Sequence, residues 1–246
     1  MNEKKALRLS IQAGLYGLSF FLAGGEDDIY RTLRFRAHHP VAVERYLKEI
    51  LHTHRHLFDE NTRAVLIHHH NWYTWVPEAY FDETRPGLYI RTTTPLLETD
   101  TLSFDRHSSA GRVNVYIPMV NLNNLMLDYF PEIEFYHSAT LADRYAFQHF
   151  PDDRKRRLWV RSFDEGFQLG IWEGRKMLFF NSFPMETTED FLYYFFFAWE
   201  KTGLKSGEQA EIMITGTKTG ELTEALEGFA ENIRTPAVEK ELLTLV

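Results

Sequence analysis

The chain has 246 residues, enough for one large domain or two small ones sharing an interface. With 44% apolar, 25% charged and 15% aromatic residues it specifies a normal buried core, and the absence of cysteine excludes disulfides, thiolate nucleophiles, iron–sulfur clusters and cysteine zinc sites. A formal net charge of -8 argues against a nucleic-acid partner, because the one dense basic run, Arg154 to Arg157, follows two acids and reads as a solvated loop.

From the N-terminus, MNEKKALRLS has charge but no apolar stretch of the kind a secretory signal needs. An apolar strand then runs from Leu9 into a turn ending at Gly17. A second strand reaches the glycine turn Gly24-Gly25, and a third spans Ile29 to Arg36. Glycine suits these turns because it takes positive φ without steric penalty. Pro40 to Phe58 carries a helical apolar stripe (Val43, Tyr46, Leu47, Ile50, Leu51) with proline at its start. A short buried strand, Arg63 to His69, leads to a short helix, Pro77 to Phe81.

Between Gly87 and Phe150 the pattern predicts strands over Thr101 to Phe104 and Arg112 to Ile117. A helix over Val120 to Tyr129, a strand over Ile133 to His137 and a helix over Thr140 to His149 follow.

From Leu158 the opening pattern returns. LWVRSFDEGFQLGIWEG repeats the strand, glycine turn, strand and glycine turn of LSIQAGLYGLSFFLAG, and Leu158 to Gly166 has the spacing of Leu9 to Gly17. A third strand, Lys176 to Phe183, precedes a helix from about Thr188 to Thr202. Thr187 or Thr188 caps it, Glu189 and Asp190 favour its first turn, and Gly203 ends it. A buried strand, Ala210 to Thr215, and a helix, Glu221 to Ala230, complete the second copy. The longest apolar run, Phe191 to Trp199, is too short to span a bilayer, so no membrane span is expected and the cytoplasm is the expected address.

The order strand, strand, strand, helix, strand, helix thus appears twice. It resembles the ribonuclease-H-like repeat of the actin, Hsp70 and sugar-kinase superfamily. More closely, the chain resembles an uncharacterised bacterial domain-of-unknown-function family assigned an actin-like ATPase fold, itself similar to the actin-like proteins of pilus assembly. The stretches that carry the resemblance are LSIQAGLYGLSF, WVPEAYF (Trp75 to Phe81), FFNSFP (Phe179 to Pro184), FLYYFFFAW and IMITGTKTGELTEALEGF (Ile212 to Phe229). It implies an α/β chain with two βββαβα subdomains around a cleft. The first spans 1–86 and is completed by part of the intervening 87–150, and the second spans 151–246.

In active members of that superfamily the first hairpin follows a pattern of aspartate, any residue, glycine, in which the acid organises magnesium near the phosphates. The pattern falls here on Gln12, Ala13 and Gly14, so the glycine is kept and the acid is not. In the second hairpin the acid position falls on Arg161, followed by Ser162 and Phe163, with Asp164 and Glu165 further along at the turn. The adenosine-contacting turn of the family matches Thr215-Gly216-Thr217-Lys218-Thr219-Gly220. Gln12, Gly14, Arg161, Ser162, Gly216 and Thr217 are therefore the candidate contacts for ATP, ADP or another anion, and no residue is assigned a catalytic role. Gly216 equally serves a structural end, as the terminus of a strand.

Eight histidines lie between His38 and His70. On a helix His52 and His56 share a face, and on a strand His68 and His70 point the same way, which is metal-ligand spacing. No HExxH pattern accompanies them, and His52, His54 and His56 read as solvated helix positions. Asp105, His107, Ser108 and Ser109 are neighbours in sequence, whereas catalytic triads assemble from separate segments, so RHSSAGR reads as a polar loop. The aromatic helix Phe191 to Trp199 is apolar nearly all round, which implies burial, with any exposed part marking a partner surface.

Three functions remain in play. The first is a degenerate actin-like protein, a non-catalytic scaffold or regulator with a protein partner and a nucleotide or other anion in its cleft. The second is a magnesium-dependent ATPase or phosphotransferase in which Asp164 substitutes for the missing acids. The third is a histidine-cluster metal-binding protein.

Overall fold

The computed structural model describes residues 7–24, 28–34, 40–59, 61–204, 210–230 and 232–245. Gly25, Phe35, Arg36, His38 and His39, which figure in the readings above, lie outside them. By contacts the chain divides into two units, one of Met1–Arg144 with Lys240–Val246 and one of Tyr145–Glu239.

The first unit opens with β1 (Arg8–Gly14), β2 (Gly17–Ala23) and β3 (Ile29–Arg34), a meander of antiparallel pairs. Helix α1 (Pro40–Thr53) follows, then a single 3-10 turn, Arg55–Leu57, and β4 (Arg63–His69), which lies parallel to β1. Strands β5 (Tyr73–Pro77), β6 (Ser103–His107) and β7 (Arg112–Tyr116) form a separate subsheet ordered β5-β7-β6, and the four-residue helix α2 (Gly87–Ile90) comes between β5 and β6 in the chain. Where a helix is expected over Pro77 to Phe81, the chain makes only the turn Glu78–Tyr80. The preceding alternation YTWV pairs with β7 instead, and Pro77 ends the strand at Arg112. Helix α3 (Val120–Tyr129) and β8 (Glu134–His137) follow, and β8 pairs parallel to β4.

The main sheet of this unit runs β3-β2-β1-β4-β8. Leu9, Ile11 and Ala13 of β1 pack with Val43, Leu47 and Leu51 of α1 and Leu122, Leu125 and Met126 of α3. On the other side of the alternation, Val65 and Ile67 of β4 pack with Phe21, with Leu141 of α4 (Ser138–His149) and with Leu243.

The second unit repeats the plan. Strands β9 (Arg156–Ser162), β10 (Gly166–Glu173) and β11 (Lys176–Pro184) form the meander. Helix α5 (Thr188–Lys201) has a full capping box between Thr187 and Asp190 and is followed by Gly203 at φ +77°. Strand β12 (Glu211–Gly216) lies parallel to β9, α6 (Thr219–Leu226) follows, and β13 (Ile233–Arg234) pairs parallel to β12. The order is β11-β10-β9-β12-β13, the same as in the first unit with the same strand directions. The register repeats as well, with Gln12 opposite Ser19 and Arg161 opposite Gln168. A last short helix, α7 (Glu239–Leu242), closes the described chain.

The aromatic helix is not buried all round. Phe191, Phe195 and Ala198 enter the core beside Leu158, Val160 and Leu169, while Tyr193, 67% exposed, and Phe197 face outward. Among the turn glycines, Gly24 and Gly174 take positive φ, at 93° and 56°, and Gly17 and Gly166 do not. Gly166 is needed for space, because a Cβ there would stand 2.2 Å from the Phe183 carbonyl oxygen.

Candidate functional site

The strand-to-helix turn of the second unit is held shut on the end of β9. Gly216 sits opposite Ser162 at φ +102°, and a Cβ there would stand 2.0 Å from the Ser162 carbonyl oxygen, so only glycine fits. The Thr217 N–H donates to that same carbonyl at 3.1 Å. The Lys218 N–H donates to Ser162 Oγ at 3.0 Å, and the Ser162 hydroxyl donates to the Thr215 carbonyl at 3.1 Å. Ser162, Gly216 and Thr217 are thus brought together, and two backbone donors of the turn are already spent on Ser162. Gly216, Thr217 and Gly220 face solvent, and Gly220 has open space where a Cβ would stand.

Arg161, one residue earlier, alternates to the other face of the sheet. Its side chain is 1% exposed. It donates from Nη1 to Gln168 Oε1 at 2.9 Å and from Nη2 to Glu239 Oε2 at 3.1 Å. Glu239 Oε1 accepts from the Thr215 hydroxyl at 3.1 Å, and Thr215 Oγ1 accepts from Trp159 Nε1–H at 3.0 Å. The guanidinium also lies 5.6 Å from the Trp159 ring centroid and 5.5 Å from that of Phe163. The position at which the resemblance places a metal-organising acid therefore holds a cation bound to an internal carboxylate. Sequence reading finds Arg161 but not Glu239, which lies 78 residues away.

Asp164 and Glu165 lie in the turn between β9 and β10, closed by the Phe163 N–H donating to the Gly166 carbonyl at 2.8 Å. Asp164 is exposed and Glu165 half-buried. Burial, with the nearby Asp164 charge, raises the Glu165 carboxyl to about 7.

In the first unit Gln12 is half-buried in β1, opposite Ile67. Gly14 pairs with His69, and a Cβ at Gly14 would stand 3.0 Å from the His69 carbonyl oxygen and 3.3 Å from its ring Cδ2. The His69 ring thus lies directly on Gly14, and its Nδ1 is 2.7 Å from Ser138 Oγ. Gln12 and Gly14 are brought to the first hairpin as expected, with an imidazole rather than a carboxylate beside them.

Beyond His69 lies a buried polar network that sequence reading resolves only in part. His68, His70 and His137 are buried, with ring centroids of His70 and His137 4.8 Å apart and of His68 and His70 6.2 Å apart. Each Nδ1 accepts a backbone N–H: Met119 to His68, Trp72 to His70 and Ala139 to His137. Burial lowers His68 to about 4 and holds His70 and His137 well below the usual imidazole range. Asp105 is buried beside them, accepting from Thr140 Oγ1 at 2.6 Å, the His137 N–H at 2.8 Å and the Tyr116 hydroxyl at 3.3 Å. Burial outweighs these donors and raises its carboxyl to about 6. Nearby Asp143 takes both His107 Nδ1, at 2.7 Å, and Arg112 Nε, at 2.8 Å.

Among the described residues no three histidine, aspartate or glutamate side chains are grouped to hold a metal ion. His52 and His56 are exposed, and α1 ends at Thr53 between them, so they do not share a helix face. Ser108 donates to Glu78 at 2.9 Å and His107 is bound to Asp143, so the two form no nucleophile–base pair.

A family description, Protein of unknown function (DUF3822), matches residues 1–233. The chain belongs to this family. A Bacteroides thetaiotaomicron VPI-5482 protein with actin-like ATPase fold and unknown function superposes at TM-score 0.85, with 19% identity over 99% of this chain and 98% of that one. A second similar structure, from the PilM-PilN type IV pilus biogenesis complex, gives TM-score 0.53 with 12% identity over 93% of this chain and 88% of that one. No curated protein matches the sequence significantly. The family member thus has the actin-like ATPase fold, and among its described residues no helix is long and apolar enough to cross a membrane.

Proposed function

We propose that this chain is a non-catalytic member of the actin-like ATPase fold, a scaffold or regulatory protein that acts through a protein partner. The observation that carries the reading is Arg161. It stands at the acid position of the second hairpin and is neutralised internally by Glu239 at 3.1 Å. Paired in this way Arg161 offers magnesium neither an oxygen ligand nor a negative charge, and the corresponding position in the first hairpin, Gln12, supplies no charge to hold it. In this reading a nucleotide or other anion meets the exposed Gly216 and Thr217 of the second unit, Ser162 beneath them being buried and spent on the turn, and no metal-assisted phosphoryl transfer follows.

Two further points support a binding role. The outer stripe of α5 exposes Tyr193 and Phe197, and Phe229 beyond α6 packs on Phe196 at 5.0 Å while itself exposed. A protein of like fold is found in a pilus biogenesis complex with a second protein.

An active ATPase is the second reading, favoured by the exposed carboxylate of Asp164 at the hairpin turn. Thermal unfolding with millimolar ATP or ADP, with and without magnesium, together with a phosphate-release assay, separates the two. The scaffold reading expects no magnesium-dependent rise in Tm and no turnover. Turnover abolished by Asp164→Asn overturns it.

A further inference from the structure

The second unit contains a cavity of about 550 Å³ at the end of its sheet remote from the turn of Ser162, Gly216 and Thr217. It lies beside Arg157, near the start of β9, and Glu211, the first residue of β12, five residues before Ser162 and Gly216. At strand rise that is roughly 16 Å from the candidate anion turn. Its volume lies in the range of small-molecule sites.

Its walls and rim differ in chemistry. One wall is aromatic: Tyr145 and His149 at the end of α4 are stacked with centroids 4.0 Å apart at 17°, and Phe150 follows. Met213 of β12, the register neighbour of Trp159, adds an apolar side chain to the lining. Such walls accept a flat apolar body.

The rim is an unequal charge cluster. Arg157, with its side chain 6% exposed, is bound bidentately by Asp153 at 2.7 and 2.9 Å and by Glu211 at 3.0 Å. Lys155, at 3.6 Å, and Arg234, at 2.9 Å, converge on the same Glu211 carboxylate, yet their side chains stay 69% and 67% exposed. Three cations thus share two carboxylates, leaving a net charge of +1 at the mouth. Lys155 and Arg234 divide one acid with a third, buried cation, and their exposed donors face water that an incoming anion replaces. A single excess charge matches one carboxylate or sulfonate and is too little for a polyphosphate.

We propose that this cavity is a binding site for a small molecule with a planar apolar body and one anionic group, separate from the turn of Ser162, Gly216 and Thr217. The natural compound is unspecified, and the probe that meets the description is 8-anilinonaphthalene-1-sulfonate. Titrated into the folded full chain, it should bind at one saturable site with enhanced, blue-shifted emission. Tryptophan excitation should transfer energy to it, the Trp159 ring centroid lying 5.1 Å from that of Tyr145 in the cavity wall.

Lys155→Gln with Arg234→Gln, two exposed changes that leave the core intact, should weaken binding about tenfold. Met213→Trp, which fills the cavity, should abolish it. N-phenyl-1-naphthylamine, the uncharged analogue, should bind about tenfold more weakly to the unaltered chain and equally to the double variant. Tyr193→Ser with Phe197→Ser should leave probe binding unchanged. The proposal is overturned if the α5 changes remove the probe while Met213→Trp retains it, or if binding does not saturate.

Discussion

Arg161 and Glu239 form an ion pair at 3.1 Å, in which the arginine side chain is 1% exposed and the glutamate 27% exposed. Removing one member of such a pair costs more than the pair contributes, because the other is left desolvated. Glu239→Gln should lower unfolding free energy by about 2 kcal/mol, the partial exposure of Glu239 reducing the full penalty for a buried pair. Urea unfolding followed by tryptophan fluorescence measures it. An effect below a few tenths of a kcal/mol would mean that Gln168 and the aromatic rings alone hold the guanidinium.

The buried histidines set the acid limb of stability. His68 is lowered from 6.5 to about 4, so the unfolded chain takes up a proton before the folded one does. Stability should therefore fall as pH drops from about 6.5 towards 4, with His70 and His137 adding in the same direction. Asp105 works the other way. Its pKa is raised to about 6, so the folded state binds the proton more tightly and gains stability as pH falls from about 6 towards 4. Asp105→Asn should remove that compensation and steepen the acid loss in the same window. Unfolding free energies at half-unit pH intervals test the sign, and a shallower profile in the variant refutes the assignment.

Gly216→Ala should destabilise the second unit by about 2 kcal/mol or more, since it combines a left-handed φ with a Cβ 2.0 Å from a carbonyl oxygen. Gly220→Ala, with open space at its Cβ, should be neutral or slightly stabilising. A comparison of the two by denaturant midpoint isolates the backbone requirement from any loss of helix flexibility.

Thr187→Ala should cost about 1 kcal/mol by removing the side-chain acceptor of the Asp190 N–H at the start of α5. Thr188→Ala should cost less, because its hydroxyl contacts only Glu221 at 2.8 Å on the surface. Equal losses would place the cap one residue later.

The duplicated meander was legible because its signals are local: alternation, glycine spacing and a helix stripe all fall within a few residues. What sequence reading missed depends on distant partners. YTWV becomes β5 rather than leading into a helix because β7 lies beside it, some 40 residues on. Arg157 reads as part of a solvated basic run, and is buried because Asp153 and Glu211 close on it. His68 and His70 do point the same way, but the residue that completes their cluster is His137, from β8. Likewise the exchange of an acid for Arg161 is visible in sequence, whereas its neutralisation by Glu239 is not. Strand β13 has two residues and no pattern to announce it.

The connectivity of the first unit has a consequence for truncation of the chain. Leu243 packs with Phe21, Val65, Ile67 and Leu141, and Lys240 pairs with Asp28 at 3.4 Å and lies 4.8 Å from the Phe21 ring. Residues 145–239 therefore form a unit contiguous in sequence, while the first unit draws part of its hydrophobic core from a segment that follows the second. A purified chain truncated after residue 239 should show protease-resistant β9 to β13 beside a more readily cleaved first unit, and restoring residues 240–245 should protect both.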